Sequence, residues 1–213
     1  MIIETFVGGP VETNGYLVAE RPGSDAVVID APEGTTLAIT SAARARGLNI
    51  RCLVNTHAHW DHFQDNAALL RATGARFGLH ADSAPLLTWP QTRMFGLNIE
   101  IEPARPDFFL EDGGVLEVGS LKLEVLHCPG HCPGSVALFE RSERVVFVGD
   151  VLFAGSIGRT DLPGGDFDTL MNSLREKLLT LGDDVRVFSG HGPVTTIGAE
   201  RRHNPFLSSV PAP

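Results

Sequence analysis

Three histidines and one aspartate fall within six positions of the stretch NTHAHWDH, residues 55–62. The stretch follows a short apolar run of the kind that forms a buried strand. Residues two apart in an extended segment point to the same side, so the imidazoles of His57 and His59 can approach a common ion. Asp61 and His62 come where the chain turns, and their side chains can reach a second point close to the first. Such a cluster favours folds in which a strand ends at a polar site.

Three more residues with metal-binding side chains lie in the same kind of place, beside glycine in a tight turn. They are His131, Asp150 and His191. Loops at strand ends are where rigid scaffolds present reactive groups. Neutral imidazoles and carboxylates bind Zn²⁺, Fe²⁺ and Mn²⁺, and histidine favours zinc or iron. The sequence therefore predicts a metal site built from several strand ends.

The first half of the chain alternates short apolar runs with helical patterns that end at glycine. A strand is predicted at 26–29, a helix at 35–46 before Gly47, a strand at 52–54, and a helix at 61–73 before Gly74. This alternation is the pattern of βαβ units. Phe63, Ala67 and Leu70 share one face of the second helix, so that helix should pack on a sheet.

The pattern of the second half predicts β-hairpins followed by one helix. Strands are predicted at 115–118, 121–126, 136–139, 144–148 and 185–188. Asp166 is the expected N-cap of the helix and Gly182 its end. The apolar stripe of this helix consists of Phe167, Leu170, Met171, Leu174, Leu178 and Leu181. Two such halves favour an α/β (α+β) fold, a four-layer αββα sandwich of two mixed β-sheets with helices on the outer faces.

We expect residues 1–213 to form a single domain, because a chain of this length with 43% hydrophobic residues can bury one substantial core. Residues 81–112 are rich in proline and lack a clear period, which indicates a short helix and an excursion loop. Loops of this size often lie over sites, so Trp89, Met94 and Phe95 are candidates for an apolar lid or pocket wall.

Charge and hydropathy narrow the classes of partner. The net charge of −9, without a basic cluster, argues against a nucleic-acid partner. No run approaches the length of a membrane span and the N-terminus lacks a secretory pattern, so we expect a cytoplasmic protein without a membrane partner. Three cysteines suit a reducing compartment, and Cys128 and Cys132 are expected to be packed free thiols. We expect a small-molecule substrate, while the sequence leaves the oligomeric state open.

The motif and the three later residues, in this order, resemble the metallo-β-lactamase fold superfamily, with its His-x-His-x-Asp-His signature. The resemblance implies the αββα sandwich. It also implies two divalent metal ions, one held by three histidines, the other by an aspartate and two histidines, with a second aspartate bridging them. The first set is His57, His59 and His131, the second is Asp61, His62 and His191, and the bridge is Asp150.

The chemistry implied by this resemblance is hydrolysis of an ester-like bond. A metal ion lowers the pKa of a bound water from about 15.7 toward ~7, which makes hydroxide available at neutral pH. The metal-bound hydroxide would attack the substrate, and Asp61 would also orient it as a catalytic residue. Zinc is the favoured metal, with iron or manganese as alternatives.

Within the superfamily, the chain is more similar to the glyoxalase II (hydroxyacylglutathione hydrolase) branch, in its short single-domain form, than to the best-known lactam-hydrolysing group. That group has Asp-Arg in place of Asp61-His62. The stretches that match glyoxalase II are residues 127–134, 149–153, 155–166 and 189–193. The branch implies cleavage of a thioester of the hydroxyacylglutathione type. Arg159 could bind a substrate carboxylate, or it could instead pair with Asp161.

The sequence also leaves other functions open. A mono-iron persulfide dioxygenase is similar in length and in its Gly-Arg-Thr-Asp loop, and it would hold its iron through His57, His131 and Asp150. A non-catalytic metal-binding module is a third hypothesis, and other hydrolases such as lactonases are a fourth. Near the motif, Asp30 is a candidate to hydrogen-bond the histidine loop, and Trp60 is expected to pack.

Overall fold

Two six-stranded sheets lie face to face in the computed structural model, and helices pack on their outer sides. The structure describes residues 1–89 and 91–207. This arrangement confirms the four-layer αββα sandwich of mixed sheets that the sequence predicts.

The first sheet is built from the N-terminal half, and its strands follow chain order. They are β1 (Ile2–Gly8), β2 (Thr13–Ala19), β3 (Asp25–Ile29), β4 (Asn49–Val54), β5 (Arg76–His80) and β6 (Phe108–Leu110). Its helices are α1 (Thr36–Ala45), α2 (Trp60–Phe63) and α3 (Asn66–Thr73). Strands β3 to β6 run parallel, so their carboxyl ends meet at one edge of the sheet.

The second sheet has the order β14-β13-β10-β9-β8-β7 and contains one parallel pair, β10 with β13. Its strands are β7 (Val115–Val118), β8 (Leu121–His127), β9 (Val136–Glu140), β10 (Val145–Gly149), β13 (Arg186–Ser189) and β14 (Thr195–Thr196). A small hairpin, β11 (Leu152–Phe153) and β12 (Ser156–Ile157), follows β10. The helices are α4 (Phe167–Ser173), which continues as a π-helical turn over Leu174–Leu178, and α5 (Ile197–His203).

Three apolar clusters fill the three interfaces between the four layers. The central cluster joins the sheets, with Val27 and Ile29 from one and Leu123 and Phe147 from the other. A second cluster packs the first sheet under α1 and α3, and a third packs the second sheet under α4 and α5. Because apolar burial is the main favourable term in folding, these clusters hold the four layers together.

The helix predicted at 61–73 is wrong as one element, because the chain forms α2 and α3 with a break between them. The break has a physical cause in Asp65. Its carboxylate Oδ2 accepts hydrogen bonds from the backbone N–H and the hydroxyl of Thr36 (2.9 and 2.8 Å), and its own N–H donates to the Ala31 carbonyl (2.9 Å). These contacts tie the break to the connection between β3 and α1. The predicted end is correct, since Gly74 takes the left-handed conformation with φ 68°.

The helix predicted from Asp166 to Gly182 begins where expected but needs two corrections: it continues as a π-helical turn that ends at Leu178, before Gly182, and one residue of the predicted stripe is exposed. Asp166 is its N-cap, and its Oδ1 accepts from the Thr169 N–H at 2.8 Å. Phe167, predicted to be in the apolar stripe, is instead 49% exposed. The remaining members of the predicted stripe are buried or partly buried. Phe167 is the first residue of the helix, and it lies before the part of the helix that packs on the second sheet.

Several elements have no counterpart in the predicted pattern. They are β1, β2, β5, β6, β11, β12, β14 and α5. Residues 81–112 contain two short 3-10 helices, Ala81–Leu87 and Gln91–Phe95, where one short helix is predicted. Pro90 of this excursion and residues 208–213 of the predicted domain lie outside the described residues.

The described chain contains no helix with the length and apolar content needed to cross a bilayer. Cys128 and Cys132 are buried free thiols, as expected.

Candidate metal centre

The histidine motif runs from the carboxyl end of β4 into helix α2, which contains Asp61 and His62, and it lies beside the end of β3. Thr56, just after β4, donates its backbone N–H (2.8 Å) and its hydroxyl (2.7 Å) to the two carboxylate oxygens of Asp30. Asp30 follows β3 directly and has φ 59°. This left-handed conformation is uncommon outside glycine, although aspartate adopts it more often than most residues. The pairing of Asp30 with Thr56 thus joins two strand ends beneath the motif.

Three imidazoles converge at the first group of candidate ligands. His57 and His59 come from the extended segment after β4, and His131 comes from the turn after β8 in the opposite sheet. One ring nitrogen from each lies within 4.8 Å of the others. His59 Nδ1 and His131 Nε2 are 2.8 Å apart. Three nitrogens at this spacing can share one metal ion.

The second group contains one carboxylate and two imidazoles. Asp61 Oδ2 is 3.4 Å from His62 Nε2 and 3.3 Å from His191 Nε2. His191 follows β13 of the second sheet, so this group also draws on both sheets. Its three ligand atoms lie within 4.8 Å of one another.

Asp150, at the end of β10, lies between the two groups. Its Oδ1 is 3.3 Å from His62 Nε2, and its Oδ2 is 3.4 Å from His191 Nε2 and 3.7 Å from His131 Nε2. One carboxylate therefore contacts members of both groups. The structure brings together all seven residues predicted as ligands, in the two sets and with the shared aspartate that the resemblance implies, while their binding of metal stays a prediction.

Hydrogen bonds to Nδ1 orient the rings of four histidines. His62 donates to Asp30 (2.8 Å), His131 to the Arg159 carbonyl (2.8 Å), and His191 to the Val11 carbonyl (3.1 Å). Each of these contacts requires a proton on Nδ1, which leaves Nε2 as the ring nitrogen that can bind a metal ion.

His57 is held in the same way through Thr56. The Thr56 hydroxyl gives its proton to Asp30, so its oxygen accepts from His57 Nδ1 at 3.1 Å. Asp30 therefore orients His62 directly and His57 through one hydroxyl, which confirms it as the hydrogen-bond partner of the histidine loop.

Three buried polar atoms at the centre indicate that metal ions fit this site. Among the residues that the structure describes, His57 Nε2, His62 Nε2 and Asp150 Oδ1 are buried without a hydrogen-bond partner. An unpaired buried polar atom costs free energy, and most such atoms are paired. All three belong to candidate ligands, and bound cations would supply the partners that these atoms lack. The donor set of imidazole nitrogens and carboxylate oxygens suits zinc, iron or manganese.

The five candidate histidines fall into two groups that differ in the direction in which their pKa values are shifted. Burial lowers the pKa of His57, His59 and His131, and neighbouring imidazoles lower those of His57 and His59 further, that of His59 to about 3. Their rings are therefore neutral at physiological pH, as a metal ligand must be.

The other two histidines are surrounded by carboxylates. Burial opposes the charge on His62 and His191, but Asp61 and Asp150 outweigh it and raise both pKa values, that of His191 to about 10. Burial likewise opposes charge on Asp61 and Asp150, yet contact with His62 and His191 lowers their pKa values. A cation that enters this second group would therefore replace protons on its imidazoles.

Close packing at the centre requires glycine at two positions. A Cβ on Gly190 would lie 2.1 Å from Asp150 Oδ1 and 2.6 Å from His62 Cε1. A Cβ on Gly149 would lie 2.3 Å from the Thr56 hydroxyl oxygen, and Gly149 also has a positive φ of 50°. The glycines beside Asp150 and His191 in the sequence thus allow the backbones of three strand ends to meet.

Strand β2 supplies supporting contacts that the sequence patterns do not predict. The Thr13 hydroxyl donates to Asp61 Oδ2 at 2.6 Å and is buried. Asn14 donates to the carbonyls of Ser189 and Gly192, on both sides of His191 (2.9 and 3.0 Å). These partners lie 48 to 178 residues apart in the chain, so no local pattern could have revealed them.

Arg159, the candidate substrate residue, forms a fork-like ion pair with Asp161. Its Nε and one terminal nitrogen are each 2.8 Å from a different carboxylate oxygen of Asp161. The bond to Arg159 lowers the pKa of Asp161 to about 2. The structure thus contains the alternative that the sequence left open, while the Arg159 carbonyl orients His131.

A cavity of about 280 Å³ opens onto the two ligand groups. Five of the seven candidate ligands line it, together with Val11, Trp60, Phe95, Leu97, Leu162 and Arg159. Trp60 is only 6% exposed and packs in the apolar cluster under the first sheet, as expected, although one side also reaches the cavity. Phe95 is therefore a wall residue, while Trp89 and Met94 line a small crevice that shares His59 with the cavity.

Residues 8–191 match the family model of the metallo-beta-lactamase superfamily. The chain belongs to the metallo-beta-lactamase superfamily. A curated relative in this superfamily is the hydroxyacylglutathione hydrolase GloC of Haemophilus influenzae. It is 40% identical over 189 residues, which are 87% of this chain and 88% of GloC.

Two solved structures of this superfamily are similar over almost the whole chain. The BLEG-1 B3 metallo-beta-lactamase has a TM-score of 0.90 and 38% identity, and the match covers 98% of this chain and 100% of that one. TTHA1623, solved in a di-iron-bound form, has a TM-score of 0.85 and 39% identity over 96% of this chain and 100% of that one. This metallo-beta-lactamase superfamily member thus has histidine and aspartate groups able to bind metal. The proteins to which it is similar are named for different activities.

Asp30 provides a test of the metal centre that does not depend on activity. Asp30→Asn keeps the size and tolerates φ 59°, but it cannot accept hydrogen bonds on both sides from Thr56 and His62. We expect metal affinity to fall about 10–100-fold with the fold retained, as for other partners of metal-ligating histidines. Competition with a chromophoric chelator measures this affinity, and circular dichroism checks the fold.

Asp65→Asn is the matched control, because Asp65 holds Thr36 of α1 and contacts no candidate ligand in the described structure. It should change stability without changing metal affinity. An unchanged affinity in Asp30→Asn would contradict the role given to Asp30.

Proposed function

We propose that this protein is a metal-dependent hydrolase of acyl thioesters, of the hydroxyacylglutathione type, that uses two divalent metal ions with zinc favoured. The supporting observation is the pair of ligand groups that share Asp150 at the floor of one cavity. The similarity to GloC over most of both chains supports the thioester class. When bound, the two ions would acidify a water molecule and polarise the thioester carbonyl.

Asp61 is the residue proposed to position the attacking water. It lines the cavity, and the Thr13 hydroxyl and the imidazoles of His62 and His191 all contact its Oδ2. Its other oxygen, Oδ1, would accept a hydrogen bond from the water and hold the water in its orientation. In the reaction a C–O bond forms at the acyl carbon, the C–S bond breaks, and the proton of the water balances the charge of the departing thiolate.

The leaving group favours a thioester over an amide or lactam. A thiol has a pKa of about 8.5, so it can leave as thiolate, whereas an amide nitrogen needs a proton from a general acid. Among the described residues that line the cavity, every histidine and every aspartate belongs to the candidate ligand sets. These groups would be engaged with metal, so no separate acid serves a nitrogen leaving group.

The test is thiol release by protein loaded with zinc, measured with S-lactoylglutathione and with a neutral acetyl thioester. Turnover of either one, lost in His59→Ala, is the expected result, because His59 belongs to the first ligand group. A matched control is His203→Ala on α5, an exposed histidine outside every candidate metal group of the described residues. Absence of thiol release from every thioester, with two metals bound per chain, would overturn the proposal.

Two further measurements distinguish the proposed hydrolase from a dioxygenase and from a lactamase. A persulfide dioxygenase would bind one iron per chain and consume oxygen with glutathione persulfide. A lactamase would hydrolyse a chromogenic β-lactam faster than either thioester. The two ligand groups support a stoichiometry of two metals and therefore the hydrolase.

A further inference from the structure

The cavity over the ligand groups has two unlike parts. Its floor is polar, since it contains His59, Asp61, His131, Asp150 and His191. Its walls are Val11, Trp60, Phe95, Leu97 and Leu162, with Arg159 at one side. A substrate whose reacting carbonyl reached the floor would place the atoms beyond that carbonyl against apolar side chains.

The only fixed positive charge among the described lining residues is already neutralised. Arg159 binds both carboxylate oxygens of Asp161 at 2.8 Å through its Nε and one of its two terminal nitrogens. A negatively charged acyl group would have to break this pair, and the net charge of −9 would not attract it. A negatively charged acyl group would therefore compete with Asp161 for Arg159, whereas an uncharged acyl group would not.

The mouth of the cavity carries exposed apolar side chains. Trp89, Met94 and Phe95 on the excursion are 40%, 49% and 40% exposed, and Val11 on the other side is 46% exposed. The crevice formed by the excursion shares His59, Phe95 and Leu162 with the cavity, so its apolar surface continues the cavity wall. Exposed apolar surface gathered at one place marks a binding site rather than ordinary surface.

We propose that the acyl part of the substrate is an uncharged, apolar group longer than the lactoyl group, which fills this cavity against Phe95 and Leu162. This inference rests on the proposed function, because it assigns the acyl part of the thioester. Each methylene buried against the walls contributes to binding in the transition state, and kcat/KM should rise about fourfold for each one until the cavity is full.

The experiment is a series of glutathione thioesters that differ only in the acyl group: acetyl, lactoyl, butanoyl, hexanoyl and succinyl. We expect kcat/KM to rise from acetyl to hexanoyl, with lactoyl below butanoyl and succinyl lowest. Phe95→Ala and Leu162→Ala should each reduce the hexanoyl-to-acetyl ratio, because both side chains are cavity walls. The control Leu37→Ala removes an apolar side chain that is 78% exposed on α1, and it should leave the ratio unchanged.

Asp161→Asn tests the charge argument separately. The change weakens the hold on Arg159, so the succinyl-to-acetyl ratio should rise several-fold. If kcat/KM of the unaltered protein does not change along the series, or is highest for lactoyl or succinyl, this inference is overturned. Thioester hydrolysis would then still stand. Absence of turnover with every member would overturn the proposed function and this inference with it.

Discussion

Replacing Asp150 with alanine should reduce thiol release by about three orders of magnitude or more, the largest loss expected from one substitution. Asp150 contacts imidazoles of both ligand groups, at 3.3 Å to His62, 3.4 Å to His191 and 3.7 Å to His131. Its removal also deletes a buried negative charge that would balance the positive charge of two metal ions. A loss of several kcal/mol of charge stabilisation corresponds to this change in rate.

Metal content distinguishes this effect from misfolding. Asp150→Ala should bind fewer than two metals per chain, as measured by elemental analysis after dialysis, with an unchanged far-ultraviolet circular dichroism spectrum. Asp150→Asn retains the shape beside Gly190 but loses the charge, and it should show a loss of the same kind. Asp168→Ala, an exposed aspartate on α4, serves as the control and should retain both metals. Full activity with two metals in Asp150→Ala would contradict the bridging role.

Removal of metal by a chelator should abolish activity and lower the thermal midpoint while leaving the secondary structure in place. The three apolar clusters contain none of the seven candidate ligands, so the layers should stay packed. Ligand linkage predicts that metal at a thousand times its Kd stabilises the fold by about 4 kcal/mol. Calorimetry of chelated and reloaded protein measures the shift.

Reloading separates the possible metals. Zinc, iron and manganese should each be added to chelated protein, and the ion that restores thiol release at two per chain identifies the working metal. Retention of full activity at negligible metal content would contradict a metal-dependent reaction. Complete unfolding on chelation would contradict the independence of the layers from the site.

The convergence of the seven candidate ligands was predictable from the sequence because much of its signal is local. Residues 57–62 place four candidate ligands in six positions, and His131, Asp150 and His191 each follow an apolar run at a glycine turn. Strands β7, β8, β9 and β10 and the N-cap Asp166 also follow from local pattern and are found close to where they are predicted.

The features that sequence reasoning missed depend on contacts between distant residues. Strand β2 is buried along its whole length, so it shows no alternation of polar and apolar residues, and its Thr13 and Asn14 serve Asp61 and the His191 loop. The break between α2 and α3 depends on Asp65 reaching Thr36 of another helix. The pairing of Arg159 with Asp161 was one of two alternatives that the sequence left open, and it becomes visible only in the geometry.

The order in which the ligands occur along the chain bears on how the protein acquires its metal. The first group is incomplete until His131 has been made, and the second until His191 has been made. During synthesis the N-terminal part emerges first, so His57, His59 and His62 leave the ribosome well before their partners. On the proposed function, an ion in the second group can be bound only after the chain has been made as far as His191, unlike the ion of a zinc finger, which organises the fold. A cell short of metal would then accumulate folded, inactive protein that a later supply of ions could activate without new synthesis.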